Sequence, residues 1–251
     1  MKKTTKMLAI LLAAMTALSG CGGSGTTTTQ TEGKTETTAA AEKTGTETAQ
    51  KGPKDEVVTM AVISSWDTLN IYNTSGNYGN AVADQLFERL VTRTHDGVIE
   101  PRLATQWQIA DDNKSMTFKL AENALWHDGE KLTANDIVFT CKAMTNPDVD
   151  NYYRSAFNVL AGTDDDGIAA DTDQVGVEAV DDYTVKFSFK EPKDQDTILN
   201  AFLSFLYVLP EHILDTGNYA DINNSSFWTS PVGAGPFKYV KDTAGETLEM
   251  E

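Results

Sequence analysis

His127-Asp128-Gly129 is the first place in this 251-residue chain where side chains could do acid–base chemistry, an imidazole beside a carboxylate. A turn with glycine at its tip accounts for these residues without a catalytic role. The other histidines, His95 and His212, are far away in sequence, so a histidine metal site would have to be assembled by the fold. Asp164, Asp166, Gly167 and Asp173 partly match the spacing of a calcium loop. Gly162, however, falls where the first acidic ligand belongs, and Asp173 stands where a Glu normally closes the site. A solvated acidic loop is the expectation. Gly233 and Gly235 have no helix opening behind them, so they predict a tight backbone path and not a phosphate cradle. Nucleophile-elbow, zinc-protease and phosphate-loop motifs do not occur. A glycosidase using two of the many carboxylates is the remaining enzymatic reading, and nothing in the sequence favours it. The expectation is a binding protein with no catalytic residue, no metal and no cofactor.

Cys21 points to covalent chemistry of another kind. Lys2, Lys3 and Lys6 precede an uncharged apolar run, Met7 to Leu18. A bilayer span needs ~20 apolar residues, so the run reads as a secretory signal. Leu18-Ser19-Gly20-Cys21 resembles the lipobox of bacterial lipoproteins. That resemblance implies acylation of the Cys21 thiol, cleavage before it, and stable anchoring by two or more acyl chains. A secretory signal with a chance cysteine is the alternative. Loss of the three lysines takes the formal charge from −17 to about −20. Such a chain lacks the basic face that nucleic acid requires, and it repels anionic headgroups. The lipid then supplies the membrane attachment alone. Cys141 has no partner once Cys21 is acylated, and its apolar helical setting predicts a small buried hydrophobe.

Residues 21–55 are Thr, Glu, Lys, Gly and Ala in low-complexity order, which predicts a disordered tether; a glycosylated stalk is the alternative. Order begins near Val57, where residues 57–63 read as a buried strand. A loop over 64–79 carries Tyr72, Asn73 and Tyr78, and a helix is expected over 80–90. Alternation predicts strands over 115–120, 183–189 and 246–251. Thr133 and Asp136 resemble a capping box opening a helix over 134–144. The apolar run 198–209 reads as a buried helix ended by Pro210, with a further turn or two over 211–216. Irregular alternation of strands and helices suggests α/β layers with mixed strand directions.

With these elements placed, a family resemblance emerges. Leu86-Phe87-Glu88-Arg89-Leu90, Asp96-Gly97, Pro101-Arg102-Leu103-Ala104-Thr105-Gln106-Trp107, Asp111-Asp112 and Thr117-Phe118-Lys119-Leu120 come in order. Trp126-His127-Asp128-Gly129, Leu132-Thr133-Ala134-Asn135-Asp136, Val138-Phe139 and Pro231-Val232-Gly233-Ala234-Gly235-Pro236-Phe237 come after them. Together they resemble the family 5 extracellular solute-binding proteins of ABC importers, over about residues 57–251. Ala121 departs from the pattern, standing where the family carries a basic residue.

The resemblance implies an α/β, type II periplasmic-binding-protein clamshell whose first lobe carries an extra subdomain. Residues 56–82 and 182–251 would form the first-lobe core and 83–181 the subdomain. The second lobe would be missing from this chain, which stops inside a strand pattern. Trp107, Phe118 and Trp126 are expected in the subdomain core. Tyr72, Asn73 and Tyr78 are expected to contact ligand, because loops past strand ends in open α/β sheets face the crevice. By resemblance, Tyr152 and Tyr153 in Asn151-Tyr152-Tyr153 join them, since relatives often direct an aromatic there. A tyrosine offers an apolar face to side chains and a hydroxyl to a peptide backbone.

The function implied is capture of oligopeptides or dipeptides by a lipid-anchored protein on the extracytoplasmic face of the cell membrane. Its partners would be the solute, the ABC permease transmembrane subunits and, through Cys21, the membrane. Rival readings are a binding protein for a nickel chelate, haem or oligosaccharide, and a peptide-sensing receptor without transport.

Overall fold

The computed structural model describes residues 59–61, 68–74, 76–243 and 246–251, with the backbone alone for Asn77 and Tyr78. Cys21, the signal segment and the tether lie outside them. Residues 59–61, the described part of the strand expected over 57–63, belong to no strand. Among the described residues no helix is long and apolar enough to cross a membrane.

In chain order, helix α1 (Asn77–Leu86) leads into the short hairpin β1 (Val91–Arg93) and β2 (Ile99–Pro101). Strands β3 (Ala104–Ile109) and β4 (Ser115–Leu120) come next, and then helix α2 (Ala134–Thr145). Strands β5 (Val177–Asp181) and β6 (Thr184–Ser188) complete an antiparallel sheet of order β3-β4-β6-β5. The short turns α3 (Gln195–Thr197) and α4 (Glu211–Leu214) precede a closing hairpin, β7 (Tyr239–Thr243) with β8 (Thr247–Met250).

The pleat explains the sheet's core. Side chains alternate across a strand, so Met116, Phe118 and Leu120 of β4 share one buried face. Met116 pairs with Phe187 and Phe118 with Val185 across β4 and β6. A run of ring contacts continues inward: Phe118 to Phe187 at 5.7 Å, Phe187 to Phe202 at 5.4 Å and Phe202 to Phe157 at 5.5 Å, all edge-to-face. Tyr72 then lies at 6.4 Å from Phe157. Each well-oriented pair adds about 0.5–1.5 kcal/mol beyond area burial. Trp126 is buried and Trp107 half-buried against the same core. That core is continuous from Ile71 to Trp228. β6 sits inside the sheet, between β4 and β5, so the expected domain boundary at 181/182 falls in the turn of a β-hairpin.

α2 begins and ends where local chemistry demands. Thr133 and Asp136 form the capping box, with the Thr133 amide donating to Asp136 Oδ2 at 2.8 Å. Pro147 disfavours a helical Asn146, which is extended. Asp136 also accepts the Glu211 amide on Oδ1 at 3.0 Å, so one carboxylate starts α2 and fixes α4. Burial raises the Asp136 pKa and outweighs the amides of Thr133 and Glu211, which lower it. The folded state therefore holds this proton more tightly than the unfolded chain. Stability from this group is present at low pH and is lost as pH rises from about 4. Asp136→Ala should cost about 2–3 kcal/mol, since two amides lose their acceptor. Thermal melts should show its gap to wild type narrowing as pH rises; a gap that widens contradicts this account.

Two expected helices differ. α1 ends at Leu86, not near residue 90. Gly235 and Phe237 donate their amides to the Leu86 and Gln85 carbonyls, which a longer helix would use itself. The run 198–209 is not one helix: a π turn (Ile198–Phe202) and a 3-10 turn (Leu203–Phe205) lead into an extended stretch. There the Val208 amide donates to the Glu88 carbonyl, and Tyr207 bridges Arg89.

Candidate functional site

Two loops, each opened by an asparagine, meet beside α1. Asn70 Oδ1 accepts the Tyr72 amide at 3.1 Å, and Asn151 Oδ1 accepts the Tyr153 amide at 2.8 Å. Asparagine turns its chain in this way because its side chain mimics a backbone acceptor. Asn151 Nδ2 also donates to the Met144 carbonyl at 3.1 Å, tying the second loop to the end of α2. The loops are joined directly, the Tyr152 amide donating to the Tyr72 carbonyl at 2.9 Å.

The expected contact residues occupy different layers of this junction. Tyr152 is 65% exposed. Tyr153 is half-buried; its hydroxyl lies 3.1 Å from the Thr74 carbonyl and 2.9 Å from Asn80 Oδ1, and its ring stacks on Phe205 at 5.0 Å. Asn73 is half-buried, with its amide on the Asn70 carbonyl at 3.0 Å. Tyr72 requires a correction. It is 1% exposed, and its hydroxyl is spent on the Tyr207 carbonyl at 2.6 Å, so it belongs to the core beneath the loops and presents no face to a solute. Burial raises the Tyr72 hydroxyl pKa well above the usual tyrosine value, and it stays a neutral donor. The side chain of Tyr78 lies outside the described residues.

Sequence reasoning missed the group that backs this junction. Tyr207 donates its hydroxyl to Asp84 Oδ1 at 2.6 Å, and Arg89 Nη2 donates to the same oxygen at 2.7 Å. The Arg89 guanidinium lies 4.8 Å over the Tyr207 ring, and Nη1 donates to the Ser204 carbonyl at 3.0 Å. Asn80 and Asp84, four apart on α1, share a helix face. That spacing is the only sequence signal that could have linked them; their partners lie 73 and 123 residues away.

The glycine-rich segment behaves as its spacing suggests. The His127 amide donates to the Gly233 carbonyl at 2.8 Å, and His127 Nε2 lies 2.9 Å from the Gly235 carbonyl. His127 therefore fastens a backbone crossing. His212 pairs with Asp128 at 2.9 Å. Burial raises the Asp128 pKa, but hydrogen bonds from His212 and the Glu130 amide, with the His212 charge, hold the carboxyl below its ordinary range. Cys141 is buried, and its burial pushes the thiol pKa up. In the acidic loop, Asp164 accepts the amides of Asp166 and Ile168 while Asp173 pairs with Lys142 at 2.6 Å. No group of three or more His, Cys, Asp or Glu gathers as a metal site among the described residues.

Comparison with known proteins defines the class. Residues 98–251 match the model for bacterial extracellular solute-binding proteins, family 5 (middle region), and the chain belongs to that family. Among its relatives, the periplasmic murein peptide-binding protein MppA of Escherichia coli K12 is 33% identical over 175 residues, 66% of this chain and 30% of the relative. The oligopeptide-binding protein AppA of Bacillus subtilis, solved with a nonapeptide, superposes with a TM-score of 0.65 at 25% identity. That match covers 76% of this chain and 35% of AppA. NikZ of Campylobacter jejuni, solved with Ni(L-His), gives 0.60 at 28% identity, covering 74% and 33%. The chain spans about a third of the length of the proteins it matches. Over that third it shares their α/β fold.

Proposed function

We propose that this chain contributes one wall of a peptide-binding site in a lipid-anchored, extracytoplasmic solute-binding protein of an ABC importer. The observation that carries the reading is the junction of the two loops, where exposed Tyr152 and half-buried Tyr153 follow one another over a base that Tyr72 and Asn80 hold. Asn73, Tyr152 and Tyr153 are the contact residues, and Tyr78 is a further candidate. Rings serve the varied side chains of a peptide, while the hydroxyl of the exposed Tyr152 serves its repeating backbone. Closure of a second lobe over this wall would bury the solute, and preference of the permease for the closed form would couple capture to delivery. The lipid on Cys21 would keep the protein at the membrane. NikZ supports a second reading, with a nickel chelate as solute.

Calorimetric titration of the full protein, as its gene encodes it, separates the two. Short peptides should bind with saturable heat, and Tyr153→Ala should weaken them by about tenfold, the worth of 1.4 kcal/mol. Heat from Ni(L-His) and none from peptides overturns the peptide reading.

A further inference from the structure

We infer that Tyr207 and Tyr72 are positioning residues that hold Tyr152 in register with α1, an inference that rests on the peptide reading above for its effect on binding. The connection is continuous. Arg89 and Tyr207 share Asp84 Oδ1, at 2.7 and 2.6 Å, and the guanidinium caps the Tyr207 ring at 4.8 Å. With one edge and one face fixed, Tyr207 offers its carbonyl to the Tyr72 hydroxyl at 2.6 Å. Tyr72 in turn offers its carbonyl to the Tyr152 amide at 2.9 Å.

The irregular turns that replace the expected helix put the other side of the junction in place. The π turn Ile198–Phe202 and the 3-10 turn Leu203–Phe205 bring Phe205 onto the Tyr153 ring and the Ser204 carbonyl onto Arg89. π turns recur at functional sites, where the wider turn re-aims the residues beyond it. One helix face therefore steers both tyrosines: Asn80 takes Tyr153 directly, and Asp84 reaches Tyr152 through Tyr207 and Tyr72. Asp84 is 41% exposed on its side chain, whereas Tyr72 and Tyr207 are buried. The adjustable end of the connection lies at the surface and the fixed end in the core.

Tyr72→Phe removes only the bond to the Tyr207 carbonyl, and Tyr207→Phe only the bond to Asp84. Amide hydrogen exchange and peptide calorimetry on the full protein read the consequences. In Tyr72→Phe the Tyr152 amide should exchange about tenfold faster, with the α2 amides at their wild-type rates, and peptide affinity should fall about tenfold. Tyr207→Phe should move both readouts in the same direction by a smaller factor. A purely structural role would speed α2 along with Tyr152. Asp84→Asn, at a half-exposed site, tests the same connection without touching the core. An unchanged Tyr152 amide in all three variants overturns the positioning role. Full peptide affinity alongside faster exchange overturns its link to binding. Failure of wild type to bind any peptide removes the peptide reading, while the exchange result still decides the positioning role.

Discussion

Gly233→Ala is expected to destabilise this protein by about 3 kcal/mol or more, at the upper end of overpacking substitutions. A Cβ built on Gly233 would stand 1.7 Å from the Leu86 carbonyl oxygen and 2.7 Å from its carbon. Both are backbone atoms at the end of α1, so no side-chain rotation can make room. Movement of residues 231–237 would break the His127–Gly233 and Gly235–Leu86 hydrogen bonds. Gly235→Ala meets the same wall, with 2.5 Å to the Gln85 carbonyl oxygen, and should rank just behind it. In a domain of this size the loss corresponds to about 6–12 °C in melting temperature. Gly76→Ala is the control: nothing lies within 4 Å of its added carbon, and its change should stay under about 1 kcal/mol. Equal melting temperatures for the 76 and 233 variants contradict the close crossing.

Phe187→Ala should cost about 3–5 kcal/mol in urea unfolding, the range for a fully buried phenylalanine. Phe187 stands between Phe118 of β4 and Phe202 of the π turn, at 5.7 and 5.4 Å, both edge-to-face. Its loss opens a cavity where the sheet meets the segment that carries Phe205 and Tyr207. Peptide affinity should therefore weaken in the folded variant, since Phe202 leads through Phe157 to Tyr72. Phe187→Leu fills most of the volume and should recover more than half of the loss. A cost below about 1 kcal/mol for the alanine variant contradicts this packing.

Legibility in the sequence tracked the range of the forces involved. β4, β6, β8 and α2 are set by local pattern: the period-two alternation of a strand, about a buried face in β4 and β6 only, or a capping box before a run of apolar residues. These stand within a residue or two of the expected bounds. α1 carries a local pattern too, but residues 231–237 decide its end from far along the chain. The run 198–209 is apolar but for Asn200 and Ser204, and periodicity alone cannot separate a buried helix from buried extended chain. Pro210 and the bridge to Arg89 settle the matter in the fold. The site shows the same division. The loop over 64–79 was legible from its composition, whereas Tyr152 and Tyr153 entered by resemblance alone, although Asn151 marks their turn locally. Which tyrosine goes inward was not legible, because the Tyr72 hydroxyl finds its acceptor 135 residues away. Asp84, Arg89 and Tyr207 gave no local sign of acting together.

Native mass spectrometry of the full protein, purified without denaturation from its own host, tests the central claim most directly. A heterogeneous set of mass additions that release short peptides on fragmentation is the predicted result. A single addition carrying a metal or a sugar, and no peptide, would contradict it.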